Sequence, residues 1–395
     1  MKVAIIGGGA AGLAAAIAAA ENGNNVTVFE RNDRVGRKIL ATGNGRCNMT
    51  NVNAQMSNYH GQNPKFVMGA MSRFWVDETL DFFNNLGIWH KVEDEGKVYP
   101  YSDQASAVLD VLRMKIEELG VDVKTKSEVQ AVSKKKNGFE IKLYGGEKFA
   151  FDAVIVAAGG KAAPDLGSNG SGYEILKGFG HKITDLRPSL VQIKTEPDVV
   201  KKLKGIKIQG EVNLDGIKEK GEILFTDYGL SGPPIFSVSS RLSEQKTIEL
   251  DIMPEYSENE LYMMLLERMY RMPKVTLENF FVGVLNKRVG QALLKYLKIE
   301  PLSRYAVTLK DADVKKIAHT MKSWSFKIVG TMSWNNAQVT KGGAVTSEFN
   351  PNTMESKLVK NLYAVGEVLD IDGDCGGYNL QWAWSSGILA GRSIR

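Results

Sequence analysis

Cysteine is nearly absent. Two cysteines in 395 residues, Cys47 and Cys375, cannot build a disulfide framework or a cysteine-ligated zinc site, and they point to a reducing compartment. Histidine is scarce too: His60, His90, His181 and His319 have no metal-ligand spacing, so no metal is expected. No uninterrupted apolar run reaches the ~18 residues that span a bilayer. Charge of one sign is in small excess, +5 overall and spread along the chain. Runs such as Lys134 to Lys136 and Lys201 to Lys202 read as solvated turns, not as a nucleic-acid stripe. The expected partner is therefore a small molecule, with neither nucleic acid nor membrane; oligomeric state stays open.

What the chain has in excess is glycine, 40 of its 395 residues against a usual ~7%. The hydrophobic share of 43% and charged share of 24% are those of a globular protein of two or three domains. Met1 to Ala20, a lysine followed by small apolar residues, superficially imitates a secretory signal. A signal has no reason to hold glycines in fixed phase or to precede a strand that ends in an acid. This segment does both, so it reads as structure and the protein is expected to be cytoplasmic.

Lys2 to Ile6 is a short apolar run of the kind buried in parallel sheets. Gly7-Gly8-Gly9-Ala10-Ala11-Gly12 follows, then an alanine-rich helix that stops near Gly23. Asn25 to Phe29 is a second strand, closed by Glu30. Strand, G-x-G-x-x-G, helix, strand and acid all fall at dinucleotide-binding offsets. Gly7 serves the tight turn, Gly9 the approach of a pyrophosphate, and Gly12 the contact of helix with strand. The N–H groups at Ala10 and Ala11 face the phosphates with the positive end of the helix dipole. Glu30 is placed to accept ribose hydroxyls. This pattern alone leaves NAD and FAD both open.

Three later features favour FAD. Arg31 to Asn51 is basic, glycine-studded and irregular where an NAD-binding half would continue with another βα unit. Arg31, Arg37, Lys38 and Arg46 are candidates to neutralise a pyrophosphate, and Gly43 and Gly45 admit a flat ring. Phe151 to Gly160 is an apolar strand running into small residues, including Ala158 and Gly159. Asn361 to Glu367 is another buried strand ending in Gly366-Glu367, and Gly376-Gly377-Tyr378-Asn379-Leu380 opens a final helix.

These motifs resemble the two-dinucleotide-fold flavoproteins. GRKILATGNGRCNMTN, FTDYGLSGPP and NLYAVGEVLDIDGDCGGYNLQWAWSSG together resemble the bacterial HI0933-like flavoproteins, over essentially the whole chain. That family includes aminoacetone oxidase-like enzymes and a bile-acid reductase. The resemblance implies non-covalent FAD on a discontinuous Rossmann-type α/β domain with an inserted β subdomain and a helical subdomain. It places Arg37, Lys38 and Gly45 to Cys47 along the pyrophosphate and ribityl chain, Val129 at the adenine, Gly366 and Glu367 by the ribityl chain, and Gly377 to Leu380 at the pyrimidine edge of the flavin. The expected division is 1–188 for the first part of the FAD domain, 189–253 for the β subdomain, 254–325 for the helical one, and 326–395 for the return.

Gly167 to Tyr173 is a second glycine-rich loop, similar to one that passes near the flavin in fumarate-reductase-type proteins. No buried strand abuts it, which argues against a second nucleotide fingerprint. The methionines Met263, Met264 and Met269 lie in an amphipathic helix and read as core. No G-x-S-x-G or Cys–His motif is present, which fits flavin chemistry. Cys47 has no C-x-x-C partner and reads as a small close-packed residue. Tyr378, Tyr228, Asp227 and Arg46 are the candidate proton donors. The expected activity is hydride transfer between flavin N5 and a small organic substrate, leaning to reduction of an activated C=C bond with NAD(P)H as transient donor. The alternatives are an amine oxidase releasing peroxide, and a flavin-binding protein without turnover.

Overall fold

A computed structural model describes residues 1–242 and 246–395. They form two compact units, Met1–Ser189 with Trp334–Arg395, and Leu190–Ser333.

The first unit is built on a five-stranded parallel sheet. Strands β1 (Lys2–Ile6), β2 (Asn25–Phe29), β3 (Asp122–Lys124), β4 (Ala153–Val156) and β5 (Leu362–Ala364) lie in the order β5-β4-β1-β2-β3. All residues of β4 and β5 are buried, as expected of strands covered on both faces. Helix α1 (Ala10–Glu21) follows β1 and is buried from Ala11 to Ala19. Helix α2 (Tyr378–Ser393), the last element of the chain, lies on it. Gly387 and Gly391, four residues apart, make this contact possible. A Cβ at Gly387 would stand 2.4 Å from Ala11 O, and one at Gly391 2.6 Å from Ala15 O. At these two positions glycine of α2 meets alanine of α1.

The second unit is a closed six-stranded antiparallel barrel. Its strands run Ile193–Thr195, Gly229–Ser231, Ile217–Phe225, Lys207–Leu214, Thr247–Asp251 and Trp324–Thr331, and the last pairs with the first. Helices Glu258–Arg271, Lys287–Tyr296 and Asp311–Lys322 share its core: Val212, Ile223 and Leu250 of the barrel belong to one apolar cluster with Leu265, Leu293 and Ile317 of the helices. The sequence suggests separate β and helical subdomains at 189–253 and 254–325. A barrel this small cannot bury the helices' apolar faces without joining their core to its own, so the two form one unit. Met269 lies in that core, whereas Met263 and Met264 are exposed.

Candidate functional site

The end of β1 turns on Gly7, whose φ of +107° only glycine adopts readily. Gly7 N–H donates to Phe29 O, and Gly8 N–H to Glu30 Oε2 at 3.0 Å. The first bond inside α1 runs from Leu13 N–H to Gly9 O, so the N–H groups of Ala10, Ala11 and Gly12 are left for another acceptor. The three fingerprint glycines differ in what they adjoin. A Cβ at Gly12 would lie 1.9 Å from Gly7 O and one at Gly7 2.5 Å from Ala157 O, but a Cβ at Gly9 would meet nothing within 4 Å. Gly7 and Gly12 are required by the fold. Gly9 faces open space in front of the helix terminus, where the free N–H groups could receive a pyrophosphate.

Glu30 is buried, 7% exposed. Its Oε1 accepts from Asn32 N–H and Asn32 Nδ2, both at 2.8 Å. An ionised carboxylate has about four acceptor positions, so the group that braces the loop retains capacity for a ribose hydroxyl. Glu30→Gln replaces an acceptor with a donor facing N–H groups. It should weaken FAD by about one to two orders of magnitude, equivalent to roughly 1.5–3 kcal/mol, while the fold persists. Titration of apoprotein with FAD, followed by flavin fluorescence, measures this; an unchanged Kd would remove Glu30 from the site.

The C-terminal motifs come to the same place. A Cβ at Gly366 would stand 2.9 Å from Ala11 Cβ, and Gly366 N–H donates to Ser386 Oγ at 2.9 Å. Gly159, at φ +70°, follows β4 beside Ala158. The second glycine loop reaches the Glu30–Asn32 corner, since a Cβ at Gly167 would lie 2.5 Å from Asn32 Nδ2. Val129 is buried and opens strand Val129–Lys135, with a register irregularity before Ala131.

The basic candidates are already partnered. Lys38 Nζ bonds Glu367 Oε2 at 2.8 Å, and Glu367 Oε1 accepts Thr340 N–H at 2.7 Å. Arg37 donates to Asn32 Oδ1 at 3.2 Å, and Arg31 lies 3.6 Å from Glu128. Arg46 is held by Glu93 and Asp103 and stacks over Tyr99, 3.9 Å from its centroid. The hydrogen bonds it donates to Glu93 and Asp103 push its guanidinium higher still, which disqualifies it as an acid. Asp227 belongs to the inserted unit, exposed, and pairs with Lys204 at 2.7 Å; that bond holds its carboxyl below the ordinary range, so it too is a poor donor near neutrality. Tyr228 is its half-buried neighbour.

Cys47 is fully buried at φ +62°, and burial pushes its thiol up to about 12. It is inert, as a close-packed residue should be. Gly377, at φ +102°, caps α2, and Tyr378 starts it. Tyr59 Oη donates to Tyr378 O at 3.2 Å. Asn379 clamps the preceding turn by accepting Gly373 N–H and donating to Gly373 O, both at 2.8 Å. Leu380 is half-buried beside it.

Three features escape sequence reasoning because their partners are remote. Gln381 is fully buried and bonded to Thr50, Thr79 and Ser385. Thr340 Oγ1 accepts N–H groups from both Lys161 and Ala162. His181 lies between Glu348 Oε2 and Ser356 Oγ, each at 2.9 Å, in a hydrolase-like line. Ser356 Oγ, however, also accepts from Leu358 and Val359 N–H and is buried, while the His181 ring stacks on Phe349 at 4.4 Å. The line fastens a loop and exposes no nucleophile.

Among the described residues no cluster of three His, Cys, Asp or Glu is arranged to hold a metal, and no helix is long and apolar enough to cross a membrane. Residues 1–393 match the HI0933-like protein Rossmann domain. The chain belongs to the HI0933-like family. Its relatives include the 3-dehydro-bile acid delta(4,6)-reductase of Clostridium scindens, 38% identical over 99% of this chain and 98% of that one. The ribosomal RNA dihydrouridine synthase of Escherichia coli is 32% identical, with 97% and 95% covered. That of Haemophilus influenzae is 31% identical, with 99% and 97% covered. This HI0933-like protein is an FAD-dependent oxidoreductase, and the open cradle at Gly9 with the buried Glu30 fits that cofactor.

Proposed function

We propose that this protein reduces a carbon–carbon double bond conjugated to a carbonyl group in a small organic molecule, with NADH or NADPH as electron donor. One observation carries the reading. Relatives named for different substrates, a 3-dehydro-bile acid and a uridine of ribosomal RNA, carry out the same reaction class: each name describes saturation of a C=C bond activated by a carbonyl. Bound FAD supplies the hydride for such a reduction. The chain supplies the rest: Gly9, Ala10, Ala11 and Gly12 hold the pyrophosphate, Glu30 the ribose, and the N-terminus of α2 at Gly377 to Leu380 the pyrimidine edge, where its dipole favours negative charge. Arg31, Arg37, Lys38, Gly45, Val129, Ala158, Gly159, Gly366 and Glu367 complete the enclosure.

The higher identity to the bile-acid enzyme favours a small substrate over RNA.

The test is to reduce the holoprotein anaerobically with NADH or NADPH, then mix it with a 3-oxo-Δ4 steroid, with oxygen, or with unmodified ribosomal RNA. Reoxidation by the steroid faster than by oxygen is expected. Peroxide release during turnover of a small amine would overturn the reading in favour of an oxidase. Dihydrouridine formed in RNA without any steroid reduction would replace the small substrate with RNA.

A further inference from the structure

Reducing an activated C=C bond requires a proton as well as a hydride, and two of the four sequence-derived donors, Arg46 and Asp227, are poorly suited to give it. Arg46 is held cationic and Asp227 ionised, for the reasons above. A different acid is built into the turn before α2. Asp372 and Gly373 form a two-stranded antiparallel ribbon with Tyr59 and His60, in which Asp372 stands directly opposite His60 and Gly373 opposite Tyr59. Directly opposed residues share a face, and so do residues two apart along a strand. His60, Asp372 and Asp374 therefore lie on one side of the ribbon. His60 Nε2 bonds Asp374 Oδ1 at 2.7 Å.

Asp372 is the inner member. It is 1% exposed, and neither of its carboxyl oxygens has a hydrogen-bond partner. A buried carboxyl with both oxygens unmatched is costly to the fold and is seldom kept without use. Its neighbour Gly373 is locked to Asn379, the second residue of α2. A Cβ at Gly373 would stand 2.8 Å from Tyr378 Cβ, so Asp372 adjoins the helix terminus assigned above to the flavin.

We propose that Asp372 stores the proton used in the reduction and is recharged from solvent through His60 and Asp374. The inference rests on the enone-reductase reading. In the step, the Asp372 O–H bond breaks and a C–H bond forms at the carbon next to the substrate carbonyl, while the hydride adds to the far carbon of the double bond. The resulting carboxylate, which shares no hydrogen bond with His60, regains its proton from solvent by way of water and the facing His60–Asp374 pair. The sum is one hydride and one proton added across C=C, with the electron pair coming from the nicotinamide donor.

The charge environment suits a store. Burial raises the Asp372 carboxyl, His60 and Lys341 oppose this, and Asp370 and Asp374 add to it, which together bring it to about 6. The group thus exchanges its proton close to neutrality. The sign for stability follows. A carboxyl raised in the fold favours folding while it is protonated, and that contribution is lost as pH rises through about 6.

Asp372→Asn tests the proposal by three readouts. The wild-type apoprotein should show an infrared carboxylic-acid band that titrates with a midpoint near 6 and is missing in the variant. The thermal midpoint of the variant should exceed that of wild type above pH 6, with the gap closing toward pH 4. Enone reduction should fall by about 100-fold and lose its pH dependence, while anaerobic reduction of the flavin by the nicotinamide stays at the wild-type rate. His60→Gln provides a second route if the first variant does not fold, and should move the band's midpoint upward. Wild-type-like enone reduction by Asp372→Asn, or the absence of the band from wild type, overturns the relay and leaves the reductase reading intact. A wild-type holoprotein that reduces no enone overturns that reading and the relay with it.

Discussion

Replacing Gly9 with valine should yield a folded but colourless protein. The backbone at Gly9 has a φ of −82°, which any residue adopts, and a Cβ there meets no atom within 4 Å. Nothing in the fold resists the side chain. The methyl groups instead occupy the space through which a pyrophosphate reaches the N–H groups of Ala10 to Gly12. Without that approach, the helix dipole and the unpaired donors no longer reach the phosphates. FAD affinity should fall by at least about 1000-fold, or roughly 4 kcal/mol, and the purified protein should lack flavin absorbance. Thermal stability must be compared with wild-type apoprotein, because bound cofactor itself stabilises the fold; the two should agree within about 0.5 kcal/mol. Wild-type flavin content in the variant would sink the assignment of this loop. Gly12→Ala is the counter-control, since its Cβ would press 1.9 Å from Gly7 O and disturb the fold itself.

Gly387→Val should act in the opposite way, removing the fold and the cofactor with it. The α1–α2 contact leaves no volume for a side chain: the Cβ alone would lie 2.4 Å from Ala11 O and 3.2 Å from Ala14 Cβ. Valine adds two further methyl groups, and relief requires the helices to separate. Both helices are buried over most of their length, so separation opens apolar surface on each. Overpacking of this kind costs about 1–3 kcal/mol where a site can adjust. Against backbone on an adjoining helix we expect more than about 4 kcal/mol. Urea denaturation of the apoprotein reads this as a lowered midpoint at unchanged slope, or as insoluble expression. A midpoint equal to that of wild type would show that the helices do not approach this closely.

The sequence was informative wherever the signal was local. Strands β1, β2, β4 and β5, the glycine turn and the opening of α2 each carry their pattern within a few residues, and the structure places them as expected. The acid Glu30 was legible as well, because strand length fixes its distance from the turn. Partner choice was not legible. Nothing near Lys38 announces Glu367, more than 300 residues away and bonded to it, and nothing near Arg46 selects Glu93 and Asp103. Closure of the barrel depends on Ile193–Thr195 meeting Trp324–Thr331, a pairing that alternation along either strand cannot reveal. Two signals were present and unused. Glycines at 387 and 391, four apart in a small-residue helix, announce a close helix contact. The alternating acids Asp370, Asp372 and Asp374 crowd like charges into five residues, an arrangement that asks for a reason.

The sheet order also governs synthesis. Strand β5 lies next to β4, but some 200 residues of chain separate their emergence from the ribosome. Through that interval the edge of β4 is bare, a template for wrong pairing. The inserted unit has a closed barrel and a core of its own, so it can finish folding first. The FAD unit cannot: its strand β5 and the helix that covers α1 both follow the inserted unit in the chain. The cradle around Gly9 is thereby closed only after β5 and α2 have docked, later than the inserted unit can finish its own core.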